Sequence, residues 1–285
     1  MKTLWVLENI KDHRSFYNKF DLLMLFASVI QWKKHHPTFI CELHADELTI
    51  ATFKNLEVLQ LWDSIKLVGK NKTIDKSVFW ASSKLQALRY VEEPVVIMDN
   101  DFIVYRSFHE YLQDKTVVAH DEDGSNYYLG PMDGYIKQVR HIINRPELKA
   151  INCSFLYLPD YKFTQGYAKR SLELMVEFTK LRVPNSKYLI YAEQLLLKHM
   201  LGEYKVKYDS LLNRVFDCKS DTFGAKTKGL IKYEDSRLFY RHYWKEKLKI
   251  RENKDGFSYN EEIIQLENIV KNRILIDWTT IDAGL

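Results

Sequence analysis

The chain has 285 residues, 46% of them hydrophobic and 28% charged, with a net charge of +4. That is ordinary globular composition, with room for one large α/β domain or two small ones, and it excludes a disordered or fibrous chain. The cysteines, Cys41, Cys153 and Cys218, are odd in number and lack a CxxC pair, which excludes a disulfide framework and a structural zinc site and points to a reducing cytoplasm.

Thr3 to Leu7 reads as a buried strand, and its apolar run is too short for a signal peptide. Phe16 to Trp32 reads as a mostly buried helix, Thr38 to Leu43 as a second strand and Leu56 to Leu61 as a third. Val78 to Val91 is helical by the spacing of Ala81, Leu85 and Leu88. Pro94 to Met98 is a short continuous apolar run, the pattern of a strand buried on both faces. Thr116 to Ala119 and Ala150 to Leu158 read as strands, and His120-Asp121-Glu122-Asp123 as a solvated acidic loop, with an acceptor-side base or a second sugar contact as the alternative. Tyr167 to Lys180 and Tyr188 to Leu201 read as helices, the second capped by Gly202. Phe223 to Gly229 reads as a loop, equally an exposed connection or a Gly-hinged lid. Leu238 to Tyr243 reads as a strand, and Ser258 to Glu261 has capping-box form ahead of a last helix with Ile263, Leu266 and Val270 on one face. Strands alternating with helices imply an α/β fold with a mostly parallel sheet. No run of about 18 apolar residues occurs, so no membrane span is expected.

The most informative stretch is Val95 to Tyr105, in which a dry strand ends in Asp99-Asn100-Asp101. Residues two apart in extended chain face the same side, so both carboxylates can converge on one cation. Strand carboxyl ends are where open α/β sheets bind ligands. Hard divalent cations such as Mg²⁺ or Mn²⁺ take carboxylate oxygens and bridge protein to phosphates. A turn capped by two aspartates is the plain alternative. Charge is also uneven. Between Lys226 and Lys254 ten Lys/Arg face four acids, an excess that suits an anionic partner or a solvated basic surface.

Phe79-Trp80-Ala81-Ser82-Ser83-Lys84-Leu85, with Asp99-Asn100-Asp101 fifteen residues after Lys84, resembles the GT-A glycosyltransferases. More narrowly, it resembles the glycogenin and galactosyltransferase-type group, glycosyltransferase family 8, with its bacterial and phage relatives. Three later segments follow in the same order: Ala150 to Phe155, like the asparagine strand of the donor-sugar pocket; Ala192-Glu193-Gln194-Leu195, like the acidic-Gln helix; and Tyr240 to Lys245, like the strand carrying a metal-binding His. Ser154 stands where that group has Gly, and no Gly follows His242.

The resemblance implies a GT-A domain over 1–255 with a mostly parallel mixed sheet flanked by helices, and a helical extension over 256–285 packed on it. It implies Asp99, Asp101 and His242 as ligands of Mn²⁺ or Mg²⁺, with Lys84, Lys245 or Lys247 and Asp99 near donor phosphate or ribose. Glu8, Asn9 and Asp46 would lie near the nucleobase and ribose, and Asn152, Glu193 and Gln194 at the sugar and the reacting centre. The expected activity is transfer of a sugar from a nucleotide-sugar, a UDP-sugar first, to an acceptor hydroxyl with retention. The acceptor could be a glycan, a protein or a modified base of phage DNA. A nucleotidyltransferase or phosphohydrolase would gather more carboxylates around paired metals. A nucleic-acid-binding protein using the basic 226–254 stretch, with Tyr233, Phe239, Tyr240, Tyr243 and Trp244 for stacking, is the remaining alternative.

Overall fold

The computed structural model describes residues 1–8, 18–69, 71–124, 133–143 and 149–276. In chain order the strands are β1 (Lys2–Leu7), β2 (Ile40–Ala45), β3 (Ser64–Leu67), β4 (Val95–Met98), β5 (Phe102–Val104), β6 (Thr116–Asp123), β7 (Lys149–Leu158), β8 (Tyr208–Leu212), β9 (Arg214–Asp217), β10 (Thr222–Lys226), β11 (Gly229–Ile231) and β12 (Tyr240–His242). The α-helices are α1 (Lys19–His35), α2 (Glu47–Asn55), α3 (Ser82–Leu88), α4 (Asp133–Ile136), α5 (Tyr161–Lys180), α6 (Lys187–Ile190), α7 (Leu196–Glu203), α8 (Ser236–Phe239), α9 (Glu246–Arg251) and α10 (Tyr259–Val270). The architecture is the expected α/β type, with mostly parallel strands and flanking helices. The chain divides into two compact units. A terminal unit comprises Lys2–Leu67, Met98–His109 and Ser236–Leu285, and a middle unit comprises Met1, Val68–Ile97 and Glu110–Asp235.

In the terminal unit β1, β2 and β3 pair in parallel, with Leu4 opposite Glu42 and Glu42 opposite Ser64. Helix α1 is apolar around most of its circumference, and such a helix must be buried. Phe20, Leu23, Phe26, Val29 and Trp32 are sealed from water, each worth about 1.5–3 kcal/mol of transfer free energy. Asn18 caps α1 by accepting from the Asp21 amide at 2.9 Å. Its one polar core residue, Ser28, accepts from Trp5 Nε1 at 3.1 Å and donates to the Phe102 carbonyl at 2.7 Å. Serine is thereby the tie between α1, β1 and β5. Helix α10 packs on α1 through Phe20 against Tyr259 and through the Lys19–Glu267 ion pair at 2.6 Å. Its cap is the one anticipated, with Ser258 Oγ accepting from the Glu261 amide.

In the middle unit β6 and β7 run antiparallel, placing His120 opposite Asn152 and Glu122 opposite Ala150. Strands β8 and β9 pair in parallel with β6, β11 pairs in parallel with β8, and β10 runs antiparallel to β9. Helix α5 is capped by Asp160, which accepts from the Lys162 and Phe163 amides. It packs against α3, helped by Phe79 stacked on Phe178 at 6.4 Å.

Four expectations about elements are corrected. Leu56 to Leu61 is not a strand: α2 ends there, Glu57 takes φ 54°, and Leu59–Leu61 forms a 3₁₀ turn. Leu56, Val58 and Leu61 are nonetheless buried, so the apolar signal was real and only its period ambiguous. Gly202 does not cap its helix but lies inside α7, which ends at Glu203 with Tyr204 as its C-cap and Lys205 in the left-handed region. Phe223 to Gly229 is not a loop, because it falls largely in β10 and β11. His120 to Asp123 is not a solvated loop but the second half of β6, with His120 and Glu122 buried.

Candidate functional site

The acidic pair follows β4 directly, and the chain turns through Asp99, Asn100 and Asp101 into β5. A 3.1 Å bond from the Phe102 amide to the Asp99 carbonyl closes that turn. Strand β12 pairs antiparallel with β5, setting His242 opposite Phe102. The Tyr243 amide donates to the Asp101 carbonyl at 3.0 Å. A residue over 140 positions later is thus carried to the acidic pair by backbone pairing. One ligand atom from each of Asp99, Asp101 and His242 lies within 4.8 Å of the other two. His242 Nε2 is 3.6 Å from Asp101 Oδ1.

A cation held about 2.2 Å from each donor needs donors roughly 3 to 4.4 Å apart, from adjacent to opposite positions. The 3.6 Å between His242 and Asp101 falls in that range and the whole set lies within 4.8 Å, and two carboxylates with an imidazole are a donor set suited to Mn²⁺ or Mg²⁺. The Asn100 Oδ1 atom is buried with no hydrogen-bond partner among the described residues, an unusual cost at the centre of this turn.

Helix α9 brings a cation. Lys247 Nζ lies 2.7 Å from Asp101 Oδ2. Burial alone would raise the Asp101 carboxyl, but the hydrogen bond from His242 and the charges of Lys247 and His242 outweigh it and hold the carboxyl well below its ordinary value. Lys245 instead places its ammonium 4.7 Å from the Trp244 ring centre. Of the two lysines weighed as alternatives, Lys247 is paired with Asp101. Arg241, beside His242, is fixed by two 2.8 Å bonds to Glu262 of α10 and by Glu246 at 3.1 Å.

A second polar cluster is built within the middle unit. Lys84, on α3, is only 8% exposed, which excludes a solvated helix-face lysine. Its Nζ donates to the Cys153 carbonyl at 2.5 Å and lies 3.2 Å from Glu193 Oε1. Glu193 and Gln194 sit in a π-helical turn, Tyr191–Leu195, between α6 and α7. Single π-turns of this kind concentrate at functional sites, because the widened turn displaces side chains from the regular helix. Gln194 Oε1 is buried without a hydrogen-bond partner among the described residues. Asn152 is held on both sides: its Nδ2 donates to Glu122 Oε1 at 2.8 Å and its Oδ1 accepts from the Ser154 amide at 3.0 Å. His120 Nε2 lies 3.4 Å from the same Glu122 oxygen.

Within His120 to Asp123, whose alternative reading is an acceptor-side base or a second sugar contact, it is His120 and Glu122 that face this cluster. The signal lies in their spacing, since residues two apart in a strand share a face. On the other face Asp121 accepts from Tyr208 at 2.6 Å and from Ser210 at 2.8 Å.

The nucleobase-side residues are placed less tellingly. Asp46 caps α2 by accepting from the Thr49 amide at 2.8 Å. Glu8 follows the end of β1, and Asn9 lies outside the described residues. The basic excess is largely consumed by the chain's own carboxylates. Arg237, Arg241, Lys247, Lys249, Arg251 and Lys254, six of the ten bases, are in ion pairs. No helix among the described residues is long and apolar enough to cross a membrane.

Among solved structures, the galactosyltransferase LgtC in complex with donor and acceptor sugar analogs is similar at 11% identity, over 73% of each chain, with a TM-score of 0.42. The PaToxG glycosyltransferase is similar at 14% identity, over 71% of this chain and 69% of its own, with a TM-score of 0.43. The glycosyltransferase GlyE of Streptococcus pneumoniae TIGR4 is similar at 12% identity and a TM-score of 0.37, with 74% of this chain matched to 44% of GlyE. No curated protein matches the sequence. A family model matches residues 1–260, and the chain belongs to that family, a family of unknown function designated DUF6734.

Proposed function

We propose that the chain is a metal-dependent glycosyltransferase of GT-A type. It moves a sugar from a nucleoside-diphosphate donor, a UDP-sugar first, to an acceptor hydroxyl with retention. The observation that carries this reading is the convergence of Asp99, Asp101 and His242 through the pairing of β12 with β5. A bound divalent cation supplies neutralisation of the charge that builds on a departing diphosphate. The chain's own part is to hold that cation through Asp101 and His242, with Asp99 as a further ligand or a ribose partner, and to present Lys247 to phosphate. Lys84, Asn152, Glu193 and Gln194 are assigned to donor sugar and phosphate by the order of motifs along the chain, and the π-turn and buried Gln194 oxygen support that assignment. Residues 1–255 would form the transferase domain and 256–285 its helical extension. Because the leaving group is anionic, positioning and electrostatic stabilisation would carry most of the rate.

The test is a thermal-shift screen of nucleotide-sugars with and without Mn²⁺. The expected result is stabilisation by a UDP-sugar that requires the metal. If no nucleotide-sugar stabilises the protein in a metal-dependent way, the reading fails.

A further inference from the structure

Helix α3 has a second polar face. Its last turn runs on through Arg89, the C-cap, to Tyr90, whose amide donates to the Ala87 carbonyl at 3.3 Å. Gln86, Arg89 and Tyr90 therefore stand at i, i+3 and i+4, on the side of the helix away from Lys84. Helix α5, packed against α3, carries a matching stripe: Lys169, Leu172, Glu173 and Val176 stand at i, i+3, i+4 and i+7. The two stripes wall a cavity of about 560 Å³, which Asn71, Thr73 and Ile142 also line. That volume lies within the roughly 300–1,000 Å³ of small-molecule sites. The walls are anchored. Gln165 Nε2 donates to the Val91 carbonyl at 2.7 Å and holds α5 to the chain leaving α3. The Asp75 amide donates to Thr179 Oγ1 at 3.0 Å, and Arg170 Nε donates to the Ile142 carbonyl at 2.6 Å. No lining residue belongs to the terminal unit that holds Asp99, Asp101 and His242.

The lining selects a class of ligand. Tyr90 is 74% exposed and offers an open aromatic face. The Arg89 guanidinium lies 5.9 Å from its ring centre. Gln86 Nε2 is buried with no hydrogen-bond partner among the described residues, which leaves an unused donor at the cavity wall. Asn71 Oδ1 already accepts from the Thr73 amide at 3.0 Å and hydroxyl at 2.6 Å, so its amide nitrogen remains to donate. Charge then separates two kinds of ligand. Arg89 and Lys169 are matched by Glu173 and Glu177, so a phosphate or other polyanion meets no net attraction. A neutral polyhydroxylated ligand meets an aromatic ring and the apolar Leu172 and Val176 for its C–H surface, and planar amides and a guanidinium for its hydroxyls. We propose that this cavity is a saccharide-binding site, with a pyranose laid on the Tyr90 ring and its hydroxyls bonded by Gln86, Arg89 and Asn71. The site needs neither metal nor nucleotide, so it goes beyond the transferase reading and stands or falls apart from it.

The experiment probes the full chain, in EDTA to remove metal-dependent binding, on an array of neutral oligosaccharides of the common hexoses and N-acetylhexosamines with their sulfated and phosphorylated counterparts. Titration calorimetry with the strongest neutral glycan then compares the unaltered chain with Tyr90→Ala, Gln86→Leu and Tyr204→Ala. Tyr204 is 59% exposed and lies outside the cavity lining, so it controls for the loss of a surface tyrosine. Urea denaturation midpoints confirm that each variant is folded. The unaltered chain should bind neutral glycans, and high salt should leave that binding in place. Tyr90→Ala should weaken it on the order of tenfold or more. Gln86→Leu should weaken it by about threefold to tenfold. Tyr204→Ala should match the unaltered chain. If no neutral glycan binds, or if binding is confined to the anionic glycans and vanishes in salt, the cavity is not a saccharide site. If a neutral glycan binds but Tyr90→Ala and Gln86→Leu hold it as tightly as the unaltered chain, it is held elsewhere and the inference is wrong. Neither result touches the acidic pair, whose metal-dependent thermal shift is a separate measurement.

Discussion

The two polar clusters are built on opposite principles. In the middle unit Lys84, Glu122, His120, Asn152 and Glu193 are all buried, and their charges and amides are bonded to one another or to backbone. In the terminal unit Asp101 and His242 are nearly as enclosed, with side chains 10% and 11% exposed, and it is Asp99 and Lys247, the latter 31% exposed, that reach water. A buried ion pair is costly to break, because removing one partner strands the other away from water. A partly exposed pair can exchange partners cheaply, because water and ligand both compete for it. The middle cluster is therefore built for rigidity and the terminal cluster for exchange. Substitutions should separate the two, one failing in folding and the other in binding.

The largest effect expected is on binding. Asp101→Ala removes the ligand shared by His242 and Lys247. It should abolish the metal-dependent thermal shift with UDP-sugars and lower transfer on the order of 100-fold or more. Lys247 is about a third exposed and can turn to water, so the loss of stability should stay below that of Lys84→Met. A retained metal-dependent shift would erase the contrast. Lys84→Met should do the reverse, removing the cation 3.2 Å from buried Glu193 and costing about 3–5 kcal/mol by urea denaturation. Adding Glu193→Gln should recover part of that loss. A cost below about 1 kcal/mol would mean that the middle cluster is as exchangeable as the terminal one.

The same contrast decides what could be read in advance. The acidic pair is local: a dry strand followed by Asp99-Asn100-Asp101 carries its own geometry. The capping box at Ser258 and the helix face Ile263, Leu266 and Val270 are local as well, and all appear as expected. The middle cluster is not local. Lys84 finds its carboxylate at Glu193, and Asn152 finds Glu122 across an antiparallel ladder. Acidic residues usually face water, so His120 to Asp123 reads as a loop until β7 is laid beside it. Helix α2 was missed because its sequence, Glu-Leu-Thr-Ile-Ala-Thr-Phe-Lys-Asn, is rich in β-branched residues. Its signal was Asp46 acting as an N-cap, and that same aspartate had been set aside for nucleotide binding.

Acid offers a way to weaken the terminal unit selectively. His36 stacks on Trp32 at 3.7 Å, and its Nε2 accepts the Phe108 amide at 2.8 Å, so it must be neutral. Burial pushes its imidazole down to about 4, with the charges of His35 and His109 adding to the effect and a backbone hydrogen bond at Trp32 opposing it. The unfolded chain then binds a proton that the folded chain refuses. Stability is complete above about pH 6.5 and is lost as pH falls toward 4, by about 2–3 kcal/mol. Denaturation midpoints measured across that window should flatten in His36→Gln. An unchanged slope would locate the acid sensitivity elsewhere.

The smallest effect tests how the exchangeable site is nonetheless held in place. Arg241 and His242 are neighbours on β12, and successive strand residues point to opposite faces. One face is anchored by the fork of Arg241 on Glu262, which leaves the other to present the imidazole. Glu262→Gln weakens that anchor without removing it, because Glu246 still accepts from Arg241 Nε at 3.1 Å. The expected cost is about 1–2 kcal/mol of stability. Mn²⁺ affinity should fall by about threefold to tenfold, less than a lost ligand would give, because the outer support of a metal site orients its ligands rather than binding the ion. Glu262→Asp shortens the reach but keeps the charge, and it should restore stability more fully than metal affinity. If both variants lose stability yet bind Mn²⁺ as tightly as the unaltered chain, β12 is aligned by its pairing with β5 alone, and α10 contributes nothing to the site.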